Sequence, residues 1–592
     1  MNSIPPGLVF IIGAVVLPFL KGKIRKYFLL FMPVLAYICL INLKYAPGFS
    51  LDFLGYELIL CNPDRLSMVF GYVFVLMSFI GFMYSLHLDE CYEHVAGSLY
   101  IGSALGVVFC GDLITLFIFW EIMAFASAYL IWARRTPASE GAGFRYILVH
   151  IAGGLILFSG IVIRLVETGS ISFELMALDG WASYLILIGF MLNAAVPPLS
   201  AWLSDAYPEA TVTGAVFLSA FTTKTAVYVL IRGFAGTEIL IWMGAIMAFY
   251  GVIFAVLAND IRRILAYHII SQVGYMVAGV GIGTALALNG SASHAFAHIL
   301  YKGLLFMGAG AVIQMTGKSK LTELGGVYKT MPITLTLYMI GALSISAFPL
   351  FSGFVSKSMI VSAAANEHLI WVWLILSISS AGTFLHTGLK LPFFTFFGKD
   401  RGIRAKEPPV NMLVAMGVAS FACVIIGVYP DVLYRLLPFN ASYHPYTGEH
   451  VVWTLQVLLF TGLGFFLLLK HLDGEPYITA DTDWFYRKGA RAFMWFVNNP
   501  MAEVFGRMNR AAFETIPSAL TWFSRNPIVA TKIIINSGLM LISEPIRTAE
   551  LRMNIKRAKN IYPGDRTEHW PIGWTVLGAV FFLFVYLVAY YL

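Results

Sequence analysis

Apolar residues along the chain gather in runs of about 16 to 25 separated by short polar stretches, the length of helices that cross a bilayer rather than the alternation of strands. The runs fall at 5–20, 27–45, 67–86, 95–110, 113–132, 144–166, 181–199, 211–232, 239–257, 264–285, 292–316, 331–349, 353–366, 369–393, 408–428, 452–470 and 572–592. Only Leu350, Phe351 and Ser352 lie between the run ending at Pro349 and the run beginning at Gly353. That is too short for an ordinary loop and is bounded by helix breakers, so the pair reads as one interrupted helix. The pattern predicts an all-α, polytopic membrane protein of about 14–17 transmembrane helices, some of them interrupted.

Residues 471–571 have a different character. Thirteen Lys or Arg stand between Asp483 and Arg566 against six Asp or Glu, interleaved with Trp484, Phe485, Phe493, Trp495, Phe496, Phe513 and Trp522. Basic and aromatic residues at helical intervals suit helices lying along a membrane interface. The expected organisation is a transmembrane ion-translocation domain over 1–470, an amphipathic interfacial segment over 471–571 and a last transmembrane helix over 572–592. Pro500, Pro517, Pro527, Gly538 and Pro545 would break any single long helix there into a segmented strap.

Composition agrees with the pattern. Of 592 residues, 59% are hydrophobic and 12% charged, against roughly 25% charged in soluble proteins, which excludes an ordinary soluble enzyme. The net charge of +7 is spread over short loops and the C-terminal stretch, leaving no patch for nucleic acid. Five scattered cysteines form no C-x-x-C pair and no zinc spacing, so neither a redox centre, a metal site nor a cofactor is implied. The run 5–20 has no basic residue before it and Lys21, Lys23, Arg25 and Lys26 after it. This is the reverse of a secretory signal, and the segment is expected to remain as a membrane helix. Basic loops face the cytoplasm, which places Lys21–Lys26 and Arg134–Arg135 inside and the N-terminus outside. Gly279, Gly281 and Gly283 lack nucleotide-binding spacing and are expected to pack helices.

The informative residues are the ionisable ones within apolar runs. A charge at the bilayer centre costs roughly 2.5–3.5 kcal/mol even on lenient scales, so such groups face protein or water and mark ion paths. Glu121 lies mid-run in Asp112–Met123, Lys224 in Leu218–Tyr228, Lys302 at the end of His294–Lys302, and Lys357 just past the Pro349 break. His294, His298 and Lys302 are spaced i, i+4 and i+8, one helical stripe roughly 12 Å long that can relay protons. Lys390 is close to Lys399 and Arg401 and reads first as an interfacial anchor.

These motifs together resemble the antiporter-like subunits shared by Mrp-type Na⁺/H⁺ antiporters, respiratory complex I and membrane-bound hydrogenases. The resemblance spans about residues 60–470. It rests on DLITLFIFWE ending at Glu121, AWLSDAYPEA at 201–210 with Asp205, FTTKTAVY around Lys224, DIRRILAYHIISQVGY at 260–275, HAFAHILYK at 294–302 and FSGFVSK ending at Lys357. Its wording is most similar to the D branch of the Mrp subunits and to related hydrogenase subunits. The resemblance implies proton or cation translocation along Glu121, Lys224, His294, His298, Lys302 and Lys357, with other membrane subunits, the lipid bilayer, protons and Na⁺ as partners. In that family a lysine on a broken helix pairs with the glutamate, but here its position holds Asn193, and two histidine positions hold Ser200 and Tyr207. An amide carries no charge, so Glu121 must ionise against another cation or rest protonated, and Lys224 is the expected substitute. A proton-pumping component of a redox-driven complex is the main alternative. A scaffold whose buried charges only specify packing is a third reading, which the number of mid-bilayer charges opposes.

Overall fold

The computed structural model describes residues 4–591 except 44, 46–47, 54, 441, 473–480, 482, 543–544 and 564–571. Parts of the basic linker predicted over 471–571 lie outside the described residues. The helices are α1 (Pro6–Val16), α2 (Gly22–Ile41), α3 (Arg65–Ser85), α4 (Cys91–Phe109), α5 (Leu113–Trp132), α6 (Pro137–Thr168), α7 (Trp181–Asn193), α8 (Ala201–Ala206), α9 (Val212–Ala220), α10 (Thr222–Phe234), α11 (Glu238–Leu257), α12 (Ile261–Ile282) and α13 (Ala285–Thr316). They continue as α14 (Pro332–Ile345), α15 (Ser352–Asn366), α16 (Ile370–Thr383), α17 (Val410–Val428), the single turn α18 (Asp431–Tyr434) and α19 (Gly448–Leu467). Every predicted run contains a helix among the described residues. Among the described residues, eleven helices are long and apolar enough to cross a membrane, and the shorter apolar helices include α7 and α14. The chain is a multi-pass membrane protein.

Several scarce charges turn out to be helix caps. Asp64 accepts from Ser67 N at 2.8 Å in a capping box. Asp112 accepts from Thr115 N at 2.7 Å, and Asp260 accepts from Arg262 N and Arg263 N at 2.9 and 3.0 Å. Each satisfies amides that the first turn leaves unpaired. The glycines expected to pack helices do so. A Cβ on Gly281 would press on the Leu240 carbonyl carbon at 2.7 Å, and one on Gly279 on Ala287 O at 3.0 Å. Gly244, Gly251 and Gly274 bring α11 and α12 backbone to backbone in the same way, the close approach that small residues permit between membrane helices.

Four interruptions shape the interior. The predicted break after 349 is present: α14 ends at Ile345, Ala347 and Leu350 take φ of 56° and 74°, and α15 starts at Ser352. The run 181–199 stops at Asn193, with Ala195 at φ 58° ahead of α8. The run 211–232 divides at Phe221 into α9 and α10, and α16 passes into π-helical turns at Phe384–Lys390 and Phe393–Phe397. One element was not predicted, an antiparallel hairpin of β1 (Phe49–Phe53) and β2 (Tyr56–Cys61).

The loops sort onto two ends. At one end, β2 meets the α4–α5 turn through Gly111 N donating to Ile59 O at 2.9 Å, and Leu113 N reaches Ile171 O at 2.8 Å. Asn289 bonds Phe439 O at 2.7 Å at the same end. At the other end, Arg25 donates to Asp89 O at 2.5 Å, Arg135 pairs with Glu90, Arg134 pairs with Glu209 at 2.8 Å and Glu407 accepts from Ile333 N at 2.6 Å. In the loop after Phe397, Arg404 donates to Asp400, and that bond with the Gly402 amide holds the carboxyl down to about 2.

The chain divides into two compact units, Met1–Asp483 and Trp484–Leu592. The second follows α20 (Asp483–Phe496) with α21 (Ala502–Arg510), α22 (Ile516–Arg525), α23 (Pro527–Ile542), α24 (Pro545–Ile561) and α25 (Ile572–Tyr591). The strap is segmented, though not at every expected breaker. Pro500 lies inside a π-turn at Val497–Met501, and Pro517 follows another at Ala511–Thr515. The i→i+5 pattern there absorbs residues that would break an α-helix. Pro527 and Pro545 begin helices, while Gly538 lies within α23. The apolar α23 also interrupts what the sequence reads as an amphipathic segment of interleaved basic and aromatic residues.

Candidate ion path

Glu121 lies on α5 without a salt bridge among the described residues, and its Oε1 is enclosed with no hydrogen-bond partner there. The carboxyl rests against Gly154 of α6, where a Cβ would collide with it. Asn193, at the end of α7, is buried and its Nδ2 is likewise unpartnered. Neighbouring polar groups are aromatic or hydroxylic. His150 of α6 stacks on Tyr146 at 4.0 Å between ring centres and meets Trp202 edge-on at 4.6 Å, and its Nε2 has no hydrogen-bond partner among the described residues. Tyr207, at one missing-histidine position, packs on Trp202, and Ser200, at the other, is buried. Asp205 belongs to a different arrangement, a bidentate pair with Arg145 at 2.6 and 3.0 Å.

The break at Phe221 places Lys224 in the first turn of α10, fully buried, with Nζ donating to Ser219 O at 2.5 Å. That carbonyl is freed because α9 ends beside it, so the interruption supplies the acceptor. No ion pair joins Lys224 to Glu121. Thr222, two residues earlier, shares a 2.6 Å hydrogen bond with Tyr100 of α4.

The stripe on α13 is buried along its whole length. His294 is held at both ring nitrogens, Nδ1 by Ser356 Oγ of α15 at 3.1 Å and Nε2 by Gln272 Oε1 of α12 at 3.2 Å. The His298 ring lies 6.1 Å from it, and neither His298 nitrogen nor Lys302 Nζ has a hydrogen-bond partner among the described residues. All three residues have 0% exposure. Buried polar groups in native proteins are nearly always hydrogen-bonded, which sets these three atoms apart from His294.

Lys357 follows the α14–α15 break. Its Nζ lies 3.3 Å from Ser380 Oγ and 4.9 Å over the Tyr275 ring. It lines a 550 Å³ cavity that runs to Tyr443, His444, Glu449 and His450 at the end of the molecule carrying the hairpin. Lys390 is buried rather than snorkelling, and donates to Val256 O at 2.6 Å. The interfacial-anchor reading therefore gives way, since its ammonium is held by a carbonyl at the end of α11.

Sequence reasoning missed two histidines. His268 of α12 and His386 of the π-turn face each other with ring centres 4.8 Å apart, both buried and both unpartnered at their nitrogens among the described residues. Gln272, which holds His294, also reaches Thr383 Oγ1 at 3.3 Å, joining the stripe to α16. The available signals were His268–Gln272 and His386–Lys390, each an i, i+4 pair on one helical face.

Residues 110–383 match the family described as NADH:quinone oxidoreductase/Mrp antiporter, transmembrane. This stretch contains Glu121, Asn193, Lys224, the α13 stripe and Lys357. Over this stretch the chain is similar to the antiporter-like membrane subunits. The Na⁺/H⁺ antiporter A subunit of Alkalihalophilus pseudofirmus is 27% identical over 567 residues, covering 80% of this chain and 69% of that protein. Among solved structures, a chain of the Mrp complex from Dietzia sp. DQ12-45-1b superposes with a TM-score of 0.76 at 21% identity, covering 94% of this chain and 68% of its own. A chain of the membrane-bound sulfane sulfur reductase, an archaeal respiratory membrane complex, gives 0.69 at 23% identity, covering 88% and 96%. At these identities the two structures establish the shared fold.

Proposed function

We propose that the chain is a proton- and cation-translocating membrane component of a Mrp-type multisubunit Na⁺/H⁺ antiporter, carrying charge along Glu121, Lys224, His294, His298, Lys302 and Lys357. The observation that carries this reading is the fully buried α13 stripe, tied to α12 by Gln272 and to α15 by Ser356 next to Lys357. Lysines spaced along a low-dielectric interior repel one another, so protonating one disfavours the next and couples loading to release. Glu121 acts at one end of this series without a lysine partner at Asn193, and Lys224 influences it through the field of the interior rather than by direct pairing. The basic loops near Arg25 and Arg135 face the cytoplasm of a bacterial or archaeal cell, with the N-terminus outside. Residues 1–470 form the translocating part, and residues 471–571 with the last helix form an interfacial arm that contacts neighbouring membrane subunits and lipid.

A second reading keeps the path and changes the energy source: the same chain inside a redox-driven pump. It is favoured by the sulfane sulfur reductase chain, whose fold matches along nearly its whole length. Vesicles containing the native complex test the two directly. Na⁺-dependent proton exchange without an electron donor supports the antiporter. Proton movement that requires electron transfer, with iron–sulfur or nickel–iron companions in the purified complex, overturns it.

A further inference from the structure

Asp481 stands just ahead of Trp484, where the second unit begins, yet it is buried in the first, with 8% exposure. Its carboxylate draws hydroxyls from three separate helices. Tyr267 Oη of α12 donates to Oδ2 at 2.6 Å, Ser204 Oγ of α8 donates to the same oxygen at 3.3 Å, and Tyr250 Oη of α11 donates to Oδ1. The ring of Phe254 lies between the two tyrosines, 4.6 Å from Tyr250 and 5.4 Å from Tyr267, which fixes both phenols in place.

The three donors matter because of what they adjoin. Ser204 is on the half-helix that resumes after the Asn193 break, beside Asp205 and its Arg145 pair. Tyr267 precedes His268, and Tyr250 is six residues before Val256, whose carbonyl holds Lys390. A six-residue helix preceded by a positive-φ residue and two prolines has little hydrogen bonding of its own to set its position. An outside acceptor shared with α11 and α12 supplies that constraint. A carboxylate suits the task, since it offers several acceptor sites and makes stronger bonds to hydroxyls than a neutral group does.

We propose that Asp481 is a positioning residue for translocation: through the hydroxyls of Ser204, Tyr250 and Tyr267 it clamps α8 against α11 and α12 and so fixes the end of the path remote from the Lys357 cavity. This rests on the proposed function for its transport readout, and on geometry alone for its second readout. The clamp works by hydrogen bonding, so an amide keeps most of it, with the oxygen accepting from one phenol and the NH₂ donating to the other.

The test uses the assembled complex in everted vesicles with Asp481→Ala, Asp481→Asn, Tyr267→Phe and the Asp481→Ala/Tyr267→Phe double variant. A cysteine introduced by Ala201→Cys, at the buried start of α8, reports its mobility by maleimide labelling read by mass spectrometry. The expected result for Asp481→Ala is a maximal exchange rate reduced at least 5-fold with unchanged half-saturating ion concentration, and Ala201→Cys labelling raised at least 3-fold. Asp481→Asn retains more than half the rate, and the double variant is no slower than Asp481→Ala. Parental rate and labelling in Asp481→Ala overturn the proposal. So does Asp481→Asn falling as far as Asp481→Ala, which would make the charge itself the functional element, or additive losses in the double variant. If Asp481→Ala fails to assemble, Tyr267→Phe decides: slower exchange with raised labelling supports the clamp, and parental behaviour overturns it. A parental complex that exchanges no ions defeats the functional reading, while the labelling comparison still decides the clamp.

Discussion

At the scale of single residues, the proposed path divides into groups held by hydrogen bonds, Lys224, His294 and Lys357, and groups such as His298 and Lys302 that are buried without one among the described residues. Lys302 Nζ is enclosed without an acceptor among the described residues, and removing an unpaired buried cation takes away a desolvation penalty rather than a bond. Lys302→Met is therefore expected to assemble as well as the parent while exchange falls at least 10-fold, measured as Na⁺-driven dissipation of ΔpH in everted vesicles beside immunoblots of the complex. Glu121→Gln has a similar logic, since its Oε1 also lacks a partner there. The amide keeps its shape but carries no transferable proton, and the exchange rate is expected to drop several-fold. Intact transport in this variant removes Glu121 from the path. The stripe on α13 was legible because it repeats within one helix. The His268–His386 pair was not, because two histidines on helices more than a hundred residues apart leave no shared period in the sequence. Lys390 misled for a related reason, since its nearness to Lys399 and Arg401 along the chain says nothing about the Val256 carbonyl that binds it.

At the scale of elements, the interruptions free backbone groups at membrane depth, and at the Phe221 break Lys224 takes up one of them, the Ser219 carbonyl. The α14–α15 break was readable from Pro349 and Gly353. The break at Phe221 was not, since Ser219–Thr223 contains neither proline nor glycine, and the hairpin at 49–61 was passed over although Phe49–Phe53 alternates apolar and polar residues. Gly353 gives the α14–α15 break a direct test. A Cβ there would run into the carbonyl of Ser344, backbone that cannot swing aside like a flexible side chain. Gly353→Ala is expected to destabilise the joint by about 1–3 kcal/mol, the range for an overpacked core. It should reduce both the yield of assembled complex and the thermal midpoint of the purified material, with exchange per assembled complex reduced as Lys357 shifts.

At the scale of the whole molecule, alternation of spans and contacts between loops make the same division of the chain. Arg25 reaches Asp89, and Arg135 pairs with Glu90, so the two basic loops that the charge rule places together are joined through the α3–α4 turn. Asn289 and Phe439 meet at the opposite end, where the Lys357 cavity reaches His444 and Glu449. Counting α7 with α8, α9 with α10 and α14 with α15 as single crossings keeps these two groups on opposite sides throughout the first unit. If the basic end is cytoplasmic, Lys357 exchanges ions with the outside and Lys390 stands toward the inside. Single cysteines introduced by Lys23→Cys and Ser442→Cys check this with a membrane-impermeant maleimide. The expected outcome is labelling of Ser442→Cys in intact cells and of Lys23→Cys only in everted vesicles. The reverse pattern would invert the direction of transport assigned to every residue of the path while leaving its order intact. Labelling of both from one side would instead mean that one interrupted helix does not cross, which would separate Lys357 from the α13 stripe and break the path.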